Sequence, residues 1–221
     1  MQRRPEPELM EEMEQALAYA GADFAEPHNR VVSLFTEKFP GLELTGTVLD
    51  IGCGPGDVSA RFVRRFPGIR LVGLDGSAAM LTLAERNRAA ETAIAERITY
   101  LHCVLPHSPI PDLAYQAMVS NSLLHHLHQP EVLWQAVEQL ARPGCLIFMV
   151  DLRRPADEAE ALRLVERYAA GEPAILRRDY YHSLLAAFTV DEVRQQLQEA
   201  GLPGLQVEAC SDRHLVVWGR R

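Results

Sequence analysis

From Gly46 onward, short β-rich runs alternate with helical segments, and this alternation restricts the fold more than any other feature. The predicted strands are residues 47–51, 69–74, 98–103, 117–121 and 145–150, and the predicted helices between them are 57–66, 78–95 and 131–140. Parallel strands need a crossover connection, usually a helix. The alternation therefore predicts an α/β fold, with a parallel sheet covered by helices.

The alternation stops near the carboxyl terminus. Thr189 and Glu192 have the spacing of a capping box and predict a helix that ends at Ala200, before Gly201. Two β-rich runs follow, 205–209 and 214–218, and the short turn between them predicts an antiparallel hairpin. An Arg- and Glu-rich helical stretch at 153–188 is an insertion that a minimal α/β sandwich does not need.

Composition places the chain among ordinary globular proteins. The 221 residues are 48% hydrophobic, and no segment reaches the roughly 18 apolar residues of a membrane span. The four cysteines form no C-x-x-C pair, which argues against a disulfide scaffold and a four-ligand zinc site. A net charge of −8 disfavours nucleic acid as a partner. We expect a cytoplasmic, soluble domain.

The strongest motif is Val-Leu-Asp-Ile-Gly-Cys-Gly-Pro-Gly at 48–56, between a predicted strand and a predicted helix. Its glycines allow a tight turn and a close approach of the backbone to a ligand. Asp75 ends the next predicted strand, where a carboxylate can accept hydrogen bonds from a ribose diol. A dinucleotide fingerprint fits poorly, because Asp57 places an anion where a pyrophosphate would bind the helix.

The spacing Asp50-x-Gly52-x-Gly54-x-Gly56 resembles the first motif of class I S-adenosylmethionine-dependent methyltransferases. The resemblance extends over roughly residues 46–151. It implies a Rossmann-like, doubly wound, seven-stranded mixed sheet with an antiparallel terminal hairpin. It also implies two parts: an N-terminal helical lid at 1–45, built from predicted helices at 8–20 and 26–39, and a methyltransferase domain at 46–221.

The resemblance further implies which residues bind S-adenosylmethionine. The glycine loop would face the methionine part of the cofactor, and Asp75 would hold its ribose. The expected contacts are Tyr19, Asp50, Gly52, Cys53, Gly54, Gly56, Asp75, Gly76, Met80, Cys103 and Asn121. One family feature is missing: the acidic residue that pairs with the adenine amino group has no counterpart before Asp112. His102, Cys103 or a backbone carbonyl would have to replace it.

Residues 120–128, Ser-Asn-Ser-Leu-Leu-His-His-Leu-His, resemble a segment of small-molecule methyltransferases. His125 or His126 could act as a general base on an acceptor hydroxyl or amine, or could instead cap the end of the strand. Asp151 follows the fifth predicted strand and could orient or deprotonate the nucleophile, or lie in a surface turn. No metal site is predicted, because convergence of these histidines cannot be derived from the sequence.

The insertion carries candidate acceptor contacts at Arg177, Arg178, Tyr180 and Tyr181. Two arginines could clamp an anionic acceptor, or form ion pairs on a solvated helix. The predicted function is methyl transfer to the oxygen or nitrogen of a small molecule. The alternatives are a non-catalytic cofactor-binding partner subunit and, less favoured, a nicotinamide oxidoreductase. A homodimer is left open, because the lid helices could pack on a second copy.

Overall fold

The structure, a computed structural model, describes residues 1–7, 9 and 13–221. Its helices are α1 Met13–Gly21, α2 Ala25–Lys38, α3 Asp57–Arg65, α4 Ala78–Ala90, α5 Thr92–Ala95, α6 Glu131–Leu140, α7 Glu158–Ala169, α8 Ala174–Ala186 and α9 Val190–Glu199. Its strands are β1 Thr45–Ile51, β2 Gly68–Asp75, β3 Ile98–His102, β4 Ala117–Asn121, β5 Leu146–Leu152, β6 Gln206–Ala209 and β7 His214–Arg220. Within the described ranges, no helix has the length and apolarity needed to cross a membrane.

The strands form one seven-stranded sheet in the order β3-β2-β1-β4-β5-β7-β6. The first five strands are parallel, and β7 runs antiparallel to both β5 and β6. The predicted fold class, including the terminal hairpin, is therefore confirmed. The strand order reverses at β1, which lies between β2 and β4, so a ligand crevice is expected at the carboxyl ends of these strands.

Both faces of the sheet are covered by apolar layers. On one face, α2 contributes Phe35, which meets Phe62, Phe66 and Phe148 edge-to-face at centroid distances of 5.2–5.5 Å. Aromatic pairs of this geometry contribute about 0.5–1.5 kcal/mol each beyond the area that they bury. On the other face, Trp134 of α6 is fully buried. The helix α2 is therefore built into the core along one side.

Three predicted helices differ from the observed ones. The predicted helix 78–95 divides at Glu91, where the chain turns back toward β3 and Arg88 donates to the carbonyl of Ala95. The insertion forms two helices, α7 and α8, which share a small apolar cluster that includes Leu164 and Leu184. The predicted helix 8–20 is described only from Met13, and residues 8 and 10–12 lie outside the described part of the chain.

Candidate active site

A cavity of about 630 Å³ opens at the carboxyl edge of the sheet. Most of the residues that the sequence singled out line it: Tyr19, Asp50, Gly52, Cys53, Gly54, Asp75, Gly76, Met80, Cys103, Asn121, His125, His126 and Tyr180. The others do not belong to its lining: Gly56, Asp151, Arg177, Arg178 and Tyr181. One cavity thus joins the glycine loop, the histidine segment and the insertion.

The glycine loop is shaped by left-handed backbone at three positions. Gly52, Gly54 and Gly56 have φ of 74°, 53° and 82°, a region that residues with a Cβ rarely adopt. A Cβ on Gly56 would lie 2.1 Å from the hydroxyl of Tyr100, and a Cβ on Gly52 would lie 2.9 Å from Leu123. A Cβ on Gly54 would meet nothing within 4 Å. The backbone at Gly54 therefore borders open space in the cavity.

Asp75 connects the end of β2 to this loop. Its Oδ2 accepts a hydrogen bond of 2.8 Å from the amide of Gly54, and its Oδ1 accepts one of 2.8 Å from the amide of Ser77. Burial raises the pKa of Asp75 above its ordinary value. Each carboxylate oxygen has a second lone pair, so the group can still accept hydrogen bonds from a ligand diol.

Asp50, on β1 behind the loop, is almost fully buried and accepts a hydrogen bond from the hydroxyl of Ser59. Burial raises its pKa from 3.8 to about 7. An acid whose folded pKa exceeds its unfolded value takes up a proton on folding. The stabilisation of the folded protein that comes from this raised pKa is complete below about pH 4, where Asp50 is protonated in both states. It is lost as the pH rises toward 7.

We therefore predict that Asp50→Asn stabilises the ligand-free protein at high pH. The amide keeps an acceptor for Ser59 and has no charge to desolvate. The stability of the variant relative to wild type should be on the order of 2–3 kcal/mol higher at pH 8 than at pH 5. Thermal unfolding at both pH values measures this difference. If the variant and the wild type differed in stability by the same amount at pH 5 and at pH 8, Asp50 would not ionise in this range.

The segment after β3 has no carboxylate in the cavity lining. Cys103 lines the cavity, and the amide of Val104 donates to the hydroxyl of Ser108 at 3.1 Å. His102 is exposed, with its Nε2 placed 2.8 Å from the carbonyl of Gly76. Asp112 pairs with Arg142 on the surface. Of the two side chains considered for adenine in the sequence, the structure therefore brings only Cys103 to the cavity.

His125 and Asp151 form a buried pair at the carboxyl ends of β4 and β5. His125 Nδ1 lies 2.5 Å from Asp151 Oδ1. The carboxylate also accepts hydrogen bonds from the amides of Leu124 and Leu152 at 2.6 and 2.7 Å. Although burial opposes both shifts, the mutual attraction raises the pKa of His125 and lowers the pKa of Asp151. The pair fixes the orientation of the His125 ring.

His126 packs against His125, with ring centroids 4.1 Å apart. Burial, together with the neighbouring charge on His125, lowers the pKa of His126 to about 3. The nearby His128 is exposed, and its Nε2 lies 2.7 Å from the carbonyl of Glu6. The three histidines of the segment therefore differ in environment, and two of them face the cavity.

Residues 1–7, here called the N-terminal strap, lie against the histidine segment and against Ser183 of α8. Arg3 donates hydrogen bonds to the carbonyls of His125 and Leu127 at 2.9 and 2.8 Å. Glu6 accepts a hydrogen bond of 2.9 Å from the hydroxyl of Ser183, and burial raises its pKa. Sequence reasoning missed Glu6, because the strap has no periodic pattern that would indicate packing.

The helix α1 and the start of α2 close the opposite side. Tyr19 stacks on Phe24 at a centroid distance of 4.9 Å, and burial raises its pKa to about 12. His28 Nδ1 lies 2.6 Å from Asp57 Oδ2, and Arg61 donates to the same oxygen at 2.9 Å. These contacts lower the pKa of Asp57 to about 2 against the effect of burial. They hold α2 to the first turn of α3.

On the insertion, only part of the predicted cluster reaches the cavity. Arg177 pairs with Glu166 and Arg178 with its neighbour Asp179. The hydroxyl of Tyr181 donates to Glu158 at 3.2 Å. These three predicted acceptor contacts therefore lie outside the cavity lining, although Asp179, the partner of Arg178, belongs to it.

Arg213, in the turn between β6 and β7, supplies a cation that the sequence analysis did not single out. Its guanidinium lies 3.7 Å from the ring centroid of Tyr168 and donates to the hydroxyl of Tyr180 at 3.4 Å. All three residues line the cavity. Among the described residues, Arg213 forms no ion pair with a carboxylate, so its charge is available to a ligand.

Comparison of the sequence with known proteins finds methyltransferases. Residues 48–144 match the family described as "Methyltransferase domain". An uncharacterized methyltransferase of Mycobacterium tuberculosis (strain ATCC 25618 / H37Rv) is 29% identical over 180 residues, covering 79% of this chain and 87% of the relative. A trans-aconitate 2-methyltransferase of Methylobacterium nodulans is 30% identical over 155 residues, covering 70% of this chain and 55% of the relative.

Among solved structures, the plantazolicin methyltransferase BpumL, in complex with a triazolic desmethylPZN analog and SAH, superposes with a TM-score of 0.73. It is 15% identical, and the match covers 94% of this chain and 90% of BpumL. A SAM-dependent methyltransferase from Aquifex aeolicus superposes with a TM-score of 0.65 at 16% identity, covering 93% of this chain and 97% of the other. At these low sequence identities, both structural similarities are evidence of a shared fold.

Proposed function

The chain belongs to the class I S-adenosylmethionine-dependent methyltransferases, and on that premise we propose that it methylates a small-molecule acceptor bound between the histidine segment and the insertion. The observation that carries the proposal is the continuity of the cavity. Its lining includes Gly54 and Asp75 on one side, His125 and His126 beside them, and Arg213 at the other end. A donor and an acceptor can therefore be held together in one enclosed volume.

The corner at Asp75 fits the cofactor. The half-buried carboxylate keeps lone pairs for a diol, and the open space beside Gly54 admits a ligand against the backbone. When bound, S-adenosylmethionine supplies a methyl group on a sulfonium, which a nucleophile displaces in line. The chain's residues contribute by positioning and by excluding water, which supply much of the acceleration in such a reaction. Tyr19 and Phe24 close the side that would otherwise admit solvent.

The acceptor end is walled by Tyr168, Tyr180 and Arg213. A guanidinium that forms no ion pair within the described part of the chain, set among aromatic rings, suits an acceptor with an anionic or π-rich group. This supports the anionic acceptor that the sequence suggested, although through a different arginine. One relative is named for trans-aconitate, which is a small carboxylate.

We expect the nucleophilic atom of the acceptor to lie beside His125 and His126, which form one edge of the cavity. Asp151 occupies Nδ1 of His125, so Nε2 of that ring and Nδ1 of His126, which has no hydrogen-bond partner among the described residues, are the groups available there. A hydroxyl or an ammonium must lose a proton before or during transfer. The two imidazoles are therefore the candidates for activating it, with Asp151 as the positioning residue.

The test is an acceptor screen in which the formation of S-adenosylhomocysteine is measured for each compound. Small carboxylates and aromatic acids should be turned over, and neutral analogues of the same compounds should be turned over less. Cofactor binding without turnover of any small molecule would contradict the proposal. It would favour the non-catalytic partner subunit, a role in which the cavity binds the cofactor alone.

We predict that Arg213→Gln raises KM for the preferred acceptor about 10-fold while kcat changes little. The reason is that a charge-assisted contact far from the transferred methyl acts equally in the ground and transition states. Arg178→Gln is the matched control, because Arg178 is also cationic and near the insertion surface but pairs with Asp179. Equal KM values for the two variants would remove Arg213 from the acceptor site.

The possible homodimer stays a prediction. Met13 and Leu17, on the outward side of α1, are 42% and 48% exposed. Light scattering of the full chain measures its mass in solution.

A further inference from the structure

Three side chains with ligand-type atoms converge where the N-terminal strap passes under the histidine segment. Glu6 Oε1 lies 3.7 Å from His125 Nε2 and 3.3 Å from His126 Nδ1. All three ligand atoms lie within 4.8 Å of one another. The sequence separation is more than a hundred residues, so this convergence is a product of the tertiary fold.

Two of the three spacings, those from Glu6 Oε1 to the two histidine nitrogens, are close to the spacing of ligands around a tetrahedral ion. Donor atoms bound about 2.0–2.1 Å from a tetrahedral zinc stand about 3.3–3.4 Å apart. The two distances to Glu6 lie near this value. The side chains of Glu6, His125 and His126 are only 10%, 3% and 15% exposed. Most of the surface of the cluster is therefore shielded from bulk water.

A direct network of hydrogen bonds does not account for the cluster. His126 Nδ1 is buried and has no hydrogen-bond partner among the residues that the structure describes, although the carboxylate of Glu6 is 3.3 Å away. A buried nitrogen without a partner costs about 1–3 kcal/mol. A cation placed between Nδ1 and the carboxylate would satisfy both groups at once.

The surrounding contacts orient two of the three ligands. Asp151 Oδ1 lies 2.5 Å from Nδ1 of His125, which leaves Nε2 as the nitrogen that faces Glu6. The hydroxyl of Ser183 donates to Glu6 Oε1 at 2.9 Å. A carboxylate behind a metal-binding histidine fixes the tautomer and direction of the ring. The outer contacts of a metal site are thus present.

We propose that Glu6, His125 and His126 bind a zinc ion whose fourth position faces the cavity. Two histidines and one glutamate with an open position form a known type of catalytic zinc site. Both histidines line the cavity, so the open position is within reach of an acceptor. With zinc bound, the ion would activate the acceptor in place of the free imidazoles. The role of this ion in transfer rests on the proposed function, while its binding does not.

With the acceptor bound, its hydroxyl would occupy the fourth position and lose its proton to solvent. A lone pair on the oxygen then forms the bond to the methyl carbon while the sulfur–carbon bond breaks. The electron pair of that bond stays on sulfur, which neutralises the sulfonium. No oxidant or reductant is needed.

The experiment measures the metal directly. The full chain is incubated with zinc, passed through gel filtration and assayed for zinc per chain, and cobalt is then substituted to give a visible spectrum. We expect about one zinc per chain in the wild type and at least a 10-fold loss of affinity in Glu6→Gln and His126→Asn. Glu158→Gln is the control, since Glu158 also pairs with the strap, through Arg4, but on the surface.

Wild-type protein that retains neither zinc nor cobalt would overturn the site, as would equal retention by the wild type and both ligand variants. Titration with S-adenosylhomocysteine on the same samples shows whether the variants are folded. Full turnover after chelation would overturn the activating role of the ion. Zinc binding without any turnover would support the site while contradicting the proposed function, so the two failures are distinguishable.

Discussion

Replacing Asp75 by alanine is expected to weaken the binding of S-adenosylhomocysteine at least 100-fold. The half-buried carboxylate at the end of β2 would offer its remaining lone pairs to the ribose diol, and it also holds the amides of Gly54 and Ser77. Loss of two hydrogen bonds to a charged acceptor costs about 3 kcal/mol or more, which corresponds to about 100-fold in affinity. Calorimetric titration of the two purified proteins measures the change.

Two further variants separate loss of contact from loss of structure. Asp75→Asn keeps one side-chain oxygen as an acceptor, so its affinity should lie between those of the wild type and Asp75→Ala. Glu85→Gln is the matched control, because Glu85 is an exposed carboxylate on the neighbouring α4 and pairs with Arg88. Unchanged affinity in folded Asp75→Ala would exclude this carboxylate from the cofactor site.

The part of the site that could be predicted from sequence follows from the sheet. Alternating strands and helices predict parallel strands whose carboxyl ends share one edge, and the structure has this arrangement. Asp75 ends β2, and Asn121 ends β4, and both line the cavity. Asp151 lies near the end of β5 and meets His125 there. For these residues, the local sequence pattern and the expected strand topology were sufficient to predict their position at this edge of the sheet.

The residues that sequence reasoning missed depend on contacts between distant segments. Glu6 reaches the histidine segment from the strap, and the nearby bond from Arg3 to His125 spans 122 residues. Arg213 reaches the cavity from a hairpin turn. No periodicity relates such segments, because their approach is set by how the insertion and hairpin pack.

The insertion illustrates a second limit. A run of donors and rings on one helix cannot all face the same way, because successive residues are rotated by about 100°. In α8, Tyr180 faces the cavity, while Arg177 and Arg178 pair with acidic neighbours. The composition of the segment predicted that its polar and aromatic side chains line the site. The rotation of the helix determines which of these side chains reach the cavity.

Replacing Asp151 by asparagine is expected to destabilise the protein by about 2–4 kcal/mol and to reduce turnover by at least 100-fold. Both oxygens of this buried carboxylate accept hydrogen bonds, from Leu124, Leu152 and His125. An amide has one acceptor oxygen, so its NH₂ must face a donor and leave a buried group unsatisfied. The ring of His125 then loses the contact that fixes its orientation toward the cavity edge.

Chemical unfolding and turnover of Asp151→Asn, measured beside Asp112→Asn, test this expectation. Asp112 is an exposed carboxylate paired with Arg142, and such surface pairs contribute about 0–1 kcal/mol, so its variant should resemble the wild type. A purely structural role for Asp151 predicts that binding of S-adenosylhomocysteine and turnover fall together. A positioning role predicts that folded Asp151→Asn still binds S-adenosylhomocysteine while kcat falls. The second pattern is the one expected, because Asp151 lies outside the cavity lining and acts on the acceptor edge only through His125.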